Sequence, residues 1–194
     1  MQNLEIITEY QTGKRDFSQV NLVKSDLYRA NLSEANLMGA NLTDANLGRA
    51  NLSKTNLSQA NLSHAKLTAS KLTGANLSYA NLEEANLMYA ELGKTDCRYA
   101  NLRCASLWQA MLNNADFMNA DLSYADLSNA DLVGSSFVGA NLTGSDLSGA
   151  NLIAADFGAA NLRGANMTGA NVWNSNLKGA DLTDTILPDG HKHE

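Results

Sequence analysis

Asp44, His64 and Glu84 are the residues of this chain whose types and spacing come nearest to chemistry. A carboxylate, an imidazole and a second carboxylate could share acid–base work if the chain returned to the same wall every twenty residues. Catalysis would also need a nucleophile, an oxyanion donor and a concave wall. The sequence around these three supplies none of them, so the expectation is a solvated charge ladder. Lys71 and Glu91 read the same way, as a surface ion pair of small energetic value. His191 and His193 stand in a polar tail, where fraying is expected over metal binding. Cys104 has no evident activating neighbour, and Cys97 falls in an apolar series that makes it a small buried residue. Two cysteines are too few for a disulfide framework or a four-ligand zinc site. No catalytic residue, cofactor or metal site is therefore expected.

What must position these side chains is a repeat of five residues. Every fifth residue from Phe17 to Leu187 is apolar, giving 35 consecutive centres of which 28 are leucine. The exceptions are Phe17, Cys97, Phe117, Phe137, Phe157, Met167 and Val172. Two residues before the centre stands alanine in 25 of the 35 units, and between them stands Asn 18 times or Asp 10 times. The unit is Ala-(Asn/Asp)-Leu-x-x. Five residues advance a helix by about 500°, so the leucines would wander around its cylinder. The local order of Ala in, Asn out and Leu in has instead the two-residue period of extended chain. A turn at each x-x pair would carry the next leucine back to a common axis. The result is a solenoid with short, straight sides around stacked alanines and leucines. Phe117, Phe137 and Phe157 are twenty residues apart, with Phe17 in the same register, which supports a twenty-residue return.

This pattern resembles the pentapeptide-repeat family over Arg15 to Asp189. The resemblance implies an all-β fold, a right-handed quadrilateral β-helix of about nine coils with four pentapeptides in each. Asn3, Leu4, Ile7 and Tyr10 read as a short amphipathic helix stopped by Gly13. Residues 1–14 are thus expected to cap the N-terminal end, 15–189 to form the β-helix and 190–194 a polar tail. Tyr10 to Phe17 resembles the opening segment of many cyanobacterial members, and Ile186-Leu187-Pro188-Asp189-Gly190 their closing segment. Ile186 replaces the outward Asn or Asp, as a turn folding over the last coil would require. The second turn residue is mostly glycine after residue 130 and mostly charged, Gln, Tyr or His before 105. Type II turns, which need positive φ there, are expected in the second half and other types in the first.

Function must then lie on outward side chains. Asn21, Asn41, Asn61, Asn81 and Asn101 would stack as an amide ladder. Val133, Ile153 and Trp173 share one outward column, and Met118 and Val138 occupy an adjacent face at similar height. Such a stripe marks an interface unless the side chains lean onto neighbouring rungs. Tyr79, Tyr89 and Tyr99 form a second candidate surface. Residues 104–162 hold six aspartates, Asp116, Asp121, Asp126, Asp131, Asp146 and Asp156, and no Lys or Arg. Family members that protect gyrase are acidic rods imitating duplex DNA. A rod of roughly 42 Å would need about 25 charges to match that density, whereas this chain has a net charge of -6. A DNA mimic acting on a DNA-handling enzyme such as gyrase is therefore the alternative. The first reading is a non-enzymatic protein–protein interaction scaffold with an unidentified protein partner. Heterocyst-regulating relatives imply a regulatory role in a cyanobacterium. The net charge argues against direct nucleic-acid binding. The absence of a long apolar run argues against a membrane span, and the N-terminus has no secretory pattern. The expected compartment is the cytoplasm. A monomer is the expected state, with the Trp173 stripe as the site of any weak dimer.

Overall fold

The computed structural model describes residues 3–194. Helix α1 (Asn3–Gln11) comes first. The side chains of Asn3 and Leu4, two of the four positions read as its amphipathic pattern, lie outside the described residues. Ile6 and Tyr10 are buried and join the apolar core, with Ile7 packed at its margin. Gly13, at φ +102°, ends the helix. Its N–H donates to the Tyr10 carbonyl and that of Lys14 to the Glu9 carbonyl, the paired bonds of a Schellman stop for which glycine is suited. The Tyr10 hydroxyl donates to the Ser33 carbonyl at 2.9 Å, tying α1 to the first coil.

From Asp16 onward the chain turns a corner every five residues. At each corner the N–H of the small inward residue donates to the carbonyl of the apolar centre three before it, as Ala30 does to Leu27 at 2.9 Å. Parallel bridges join residues twenty apart, from Asp16 with Asn36 to Asn166 with Ile186. Four corners therefore close one coil. Each side contributes a single bridged residue, so the walls are stacks of isolated bridges rather than strands. A corner every five residues leaves no room for a longer ladder.

Within each unit the backbone donors are almost fully assigned. The Leu and second-turn N–H groups donate to the next coil, as Leu22 does to Asn41 and Lys24 to Thr43. The Asn N–H donates to the preceding coil, as Asn41 does to Val20. The interior holds the leucine and alanine series, fully or nearly fully buried through the coils between Leu32 and Met167. Phe117 and Phe137 stack at 5.1 Å and 4°, and Phe137 and Phe157 at 4.9 Å and 4°. Cys97 lies buried directly below Phe117 in that column. In the last coil Val172, Leu177, Ala180 and Leu182 are only half-buried.

The turn expectation is overturned. Every fifth residue from Gln19 to Asp184 has positive φ, glycine or not, in both halves of the chain. Positive φ at the second turn residue alone is the type II signature. From Gln19 to Gly169 that residue's N–H donates to the adjacent coil whatever its side chain, and Asn174 and Gly179 in the last coil keep the same sign of φ. Non-glycine residues held there are strained by about 1–2 kcal/mol each. Replacing exposed Ala154, at φ 56°, by glycine should therefore raise stability by up to about 1 kcal/mol, read as a higher denaturant midpoint.

The tail is bonded back onto the last side of the coil, where fraying was the expectation. Ile186 forms an antiparallel bridge with Lys192. Asp184 N–H donates to the His193 carbonyl and His193 N–H to the Thr185 carbonyl. The segment doubles back on the final side, as the apolar residue at 186 suggests.

Candidate functional site

The outward wall is built on the Asn/Asp position. After the bonds between coils are made, the N–H of the first turn residue lacks a backbone acceptor. The Asn or Asp two residues earlier supplies one: Val23 donates to Asn21 Oδ1 at 3.3 Å, and Ser78 to Asn76 Oδ1 at 2.9 Å. This local Asx bond explains why the unit demands these two residue types. The axial amide ladder is formed from Asn61 to Asn101, with Asn81 donating to Asn61 at 3.4 Å and Asn101 to Asn81 at 3.0 Å. The sequence pattern pointed to the ladder and missed the turn bond. Ser and Thr after the centre were the available signal, since several hydroxyls donate to the same oxygen, as in Thr43 to Asn41 at 2.7 Å.

Five of the six aspartates of residues 104–162 share this task. Asp116, Asp121, Asp126, Asp146 and Asp156 each accept an N–H from two residues on. Asp131 accepts from the Asn113 and Asn151 amides of the coils on either side. The six are half-buried and spread over all four faces. Their negative charge is a by-product of rung chemistry and not a continuous acidic stripe. Asp96 is held below the usual carboxyl value chiefly by its hydrogen bond from Arg98, whose Nη2 lies 2.6 Å away.

Of the first candidate stripe, Val133, Ile153, Met118 and Val138 are half-buried, whereas Trp173 is 72% exposed. The three tyrosines do not share one surface: Tyr79 and Tyr99 occupy one corner column, and Tyr89 lies at the diagonally opposite corner. Tyr79 and Tyr99 stack at 4.9 Å and 5°, and Tyr89 meets Trp108 edge-on at 4.9 Å. Tyr79 is 59% exposed. The sequence reading omitted Trp108, which the twenty-residue register places next to Tyr89 across one coil.

Of the potential acid–base column, His64 Nδ1 and Glu84 come together at 3.3 Å on an open wall, and Asp44 takes no part in that pair. Lys71 and Glu91 share a backbone bridge, yet among the ion pairs of the described residues they do not appear. That expectation is corrected: a shared bridge aligns the backbones, but two long exposed side chains lose rotamer entropy if they are locked together. Among the described residues no cluster of three His, Cys, Asp or Glu could hold a metal, and no helix is long and apolar enough to cross a membrane.

The two thiols differ as their placement requires. Cys97 is pushed up to about 12 by burial, and Cys104 is exposed. A thiol reagent should titrate one cysteine in the folded protein and two after denaturation.

Comparison with known proteins gives the same repeat. A family model described as pentapeptide repeats matches residues 16–49, 35–74, 65–96, 100–137 and 145–184. HetL, a pentapeptide repeat protein involved in heterocyst differentiation regulation from the cyanobacterium Nostoc sp., is 34% identical over 100% of both chains, with a TM-score of 0.40. A pentapeptide repeat protein from the Arabidopsis thaliana thylakoid lumen is 31% identical over 60% of this chain and 71% of its own, at TM-score 0.41. A trypsin-treated form of QnrB1, a plasmid-mediated fluoroquinolone resistance protein, is 19% identical over 87% of this chain and 91% of its own, at TM-score 0.54. That last likeness is one of fold. Among curated proteins none matches.

Proposed function

The chain belongs to the pentapeptide-repeat family, whose members fold as right-handed quadrilateral β-helices, and on that premise we propose that it is a non-enzymatic rod for recognising another protein. Residues 15–189, at twenty per coil, make about nine coils of that rod. Within residues 1–14 the helix α1 caps it, Met1 and Gln2 lying outside the described residues, and 190–194 form its tail. The regulatory relative that is 34% identical along the whole chain supports a regulatory task. The cytoplasm as its compartment, and a monomer as its state, belong to the same proposal. A thylakoid-lumen relative shows that the family is not confined to one compartment.

The observation that carries the reading is the division of labour within the repeat. Interior side chains are closed packing, and the Asn/Asp position serves the backbone, so only the turn positions and the exceptions are free to discriminate a partner. Among the turn residues Trp173 is the most exposed large apolar side chain described. With Val133, Ile153, Met118 and Val138 it is one proposed contact surface; Tyr79 with Tyr99 is the second, and Tyr89 lies at the diagonally opposite corner, apart from both. Capture from native lysate tests the reading, using wild-type bait beside an Ile153→Asp/Trp173→Asp double variant. A specific protein held by the wild type and lost by the variant supports both rod and surface. Gyrase held by both baits would favour the DNA-mimic alternative, which the rung-bonded aspartates argue against. No specific protein on either bait would overturn the recognition reading.

A further inference from the structure

Seven of the 35 units lack Asn or Asp at the outward position: Lys66, Lys71, Glu91, Ser106, Met111, Ser136 and Ile186. Three of them, Lys71, Glu91 and Met111, are bridged in succession on one face. On three adjacent coils that face therefore forgoes the Oδ1 acceptor used nearly everywhere else. Met111 is 45% exposed in place of a hydrogen-bonding group. A fold that gives up local bonds at consecutive rungs has a use for the side chains put there.

The surroundings say what use. Tyr89 and Trp108 stand edge to face at the corner beside Met111. Below Tyr89, in the same corner column, lie Arg49 and Arg29, and the opposite corner carries Lys54 and Lys94. From Arg29 to Met111, five basic and two acidic residues (Glu34 and Glu91) give this stretch of the face and its corners a charge of +3 on a chain of -6, and Asp131 on the next rung bounds it. Arg98, Arg103 and Arg163, on other corners, are each paired with carboxylates. Among the described residues, Lys54 is the one cation of this face in an ion pair, with Glu34 at 3.7 Å, and Arg49, Lys71 and Lys94 have no carboxylate partner there. The stripe climbs four coils from Arg29 to the aromatic corner, about 19 Å, the length of roughly six extended residues.

We propose that this face docks an extended acidic segment of a partner protein, its carboxylates along Arg49, Lys71 and Lys94 and an apolar side chain on Met111, Tyr89 and Trp108. The inference rests on the recognition reading and names the partner's chemistry. A second copy of this chain is a poor occupant, because its aspartates are scattered over four faces and already accept rung bonds. Nucleic acid is disfavoured by the overall negative charge and by Glu91 in the middle of the stripe.

The probe is a synthetic peptide of glutamates ending in leucine and phenylalanine, with a glutamine version as control. In a Trp173→Phe background, Trp108 alone reports by its emission. Glutamate-peptide binding should perturb that emission, weaken with salt, and fall by about tenfold or more in Arg49→Glu/Lys71→Glu. Lys71→Asn/Met111→Asn restores the turn acceptors, so its Tm should rise by about 2–4 °C while binding falls. That pairing of gained stability with lost binding separates a docking face from a merely structural one, and a melt of each variant confirms folding. The proposal is overturned if the wild type does not bind, if the glutamine peptide binds as well, or if either double variant binds like the wild type. Tighter binding of a single-stranded oligonucleotide, or a dimer that buries Trp108, would also overturn it. If this face fails while the wild-type bait still holds a specific lysate protein, the recognition reading stands without it.

Discussion

Phe137→Ala should lower stability by about 3–5 kcal/mol, the range for removing a fully buried aromatic side chain. Phe137 has no exposed surface and is stacked on both sides, by Phe117 at 5.1 Å and Phe157 at 4.9 Å. Its loss removes two ring contacts at once and opens a void that the coils cannot close, because each coil is fixed in height by bonds to the next. Phe157→Ala, one rung higher, should cost less, since Leu177 above it belongs to the half-buried last coil. Urea unfolding of the two variants checks the order. Equal losses would mean that the ladder is not the continuous stack described.

The second large effect contrasts two deletions. Removing residues 61–80 takes out one whole coil and leaves every column of side chains in register, so the shortened protein should still fold cooperatively. Stability in a stacked array is roughly a sum over neighbours, and the Tm should fall modestly. Deleting Ala80 alone shifts the two-residue alternation by one, which turns an Asn inward and a Leu outward in at least one coil. Lost leucine burial together with an unpaired buried amide should cost about 3–6 kcal/mol. Circular dichroism melts of the two proteins check this. A single deletion as stable as the whole-coil deletion would contradict the inward and outward assignments.

Much of the scaffold could be read from the residues. Ala, Asn and Leu in fixed order prescribe which side chains turn inward, and three phenylalanines twenty apart report the length of the coil. Gly13 marks the helix stop. Residue preference alone does not decide the turns. The same positive φ holds at Lys54 and at Gly144, since the bond to the adjacent coil is long-range and leaves no trace in local composition. The tail at Ile186 to His193 was underestimated for a similar reason: its bonds are made by backbone groups. The surface was least legible. Exposure separates Trp173 from half-buried Ile153 although both hold the same place in the repeat. Lys71, Glu91 and Met111 stand out only when the missing turn acceptor is known.

Each proposed surface exists only if residues twenty apart are neighbours. The most direct test uses the exposed thiol of Cys104 with one introduced cysteine. Glu84→Cys places the second thiol one coil away in the same column, at about 4.8 Å between backbones, within the span of a disulfide. Tyr99→Cys places it at the neighbouring corner of the coil, and Lys94→Cys at the opposite corner. Under mild oxidation the account predicts an intramolecular disulfide in Glu84→Cys and none in the other two. A disulfide in Tyr99→Cys or Lys94→Cys, with none in Glu84→Cys, would contradict the twenty-residue coil and the surfaces built on it.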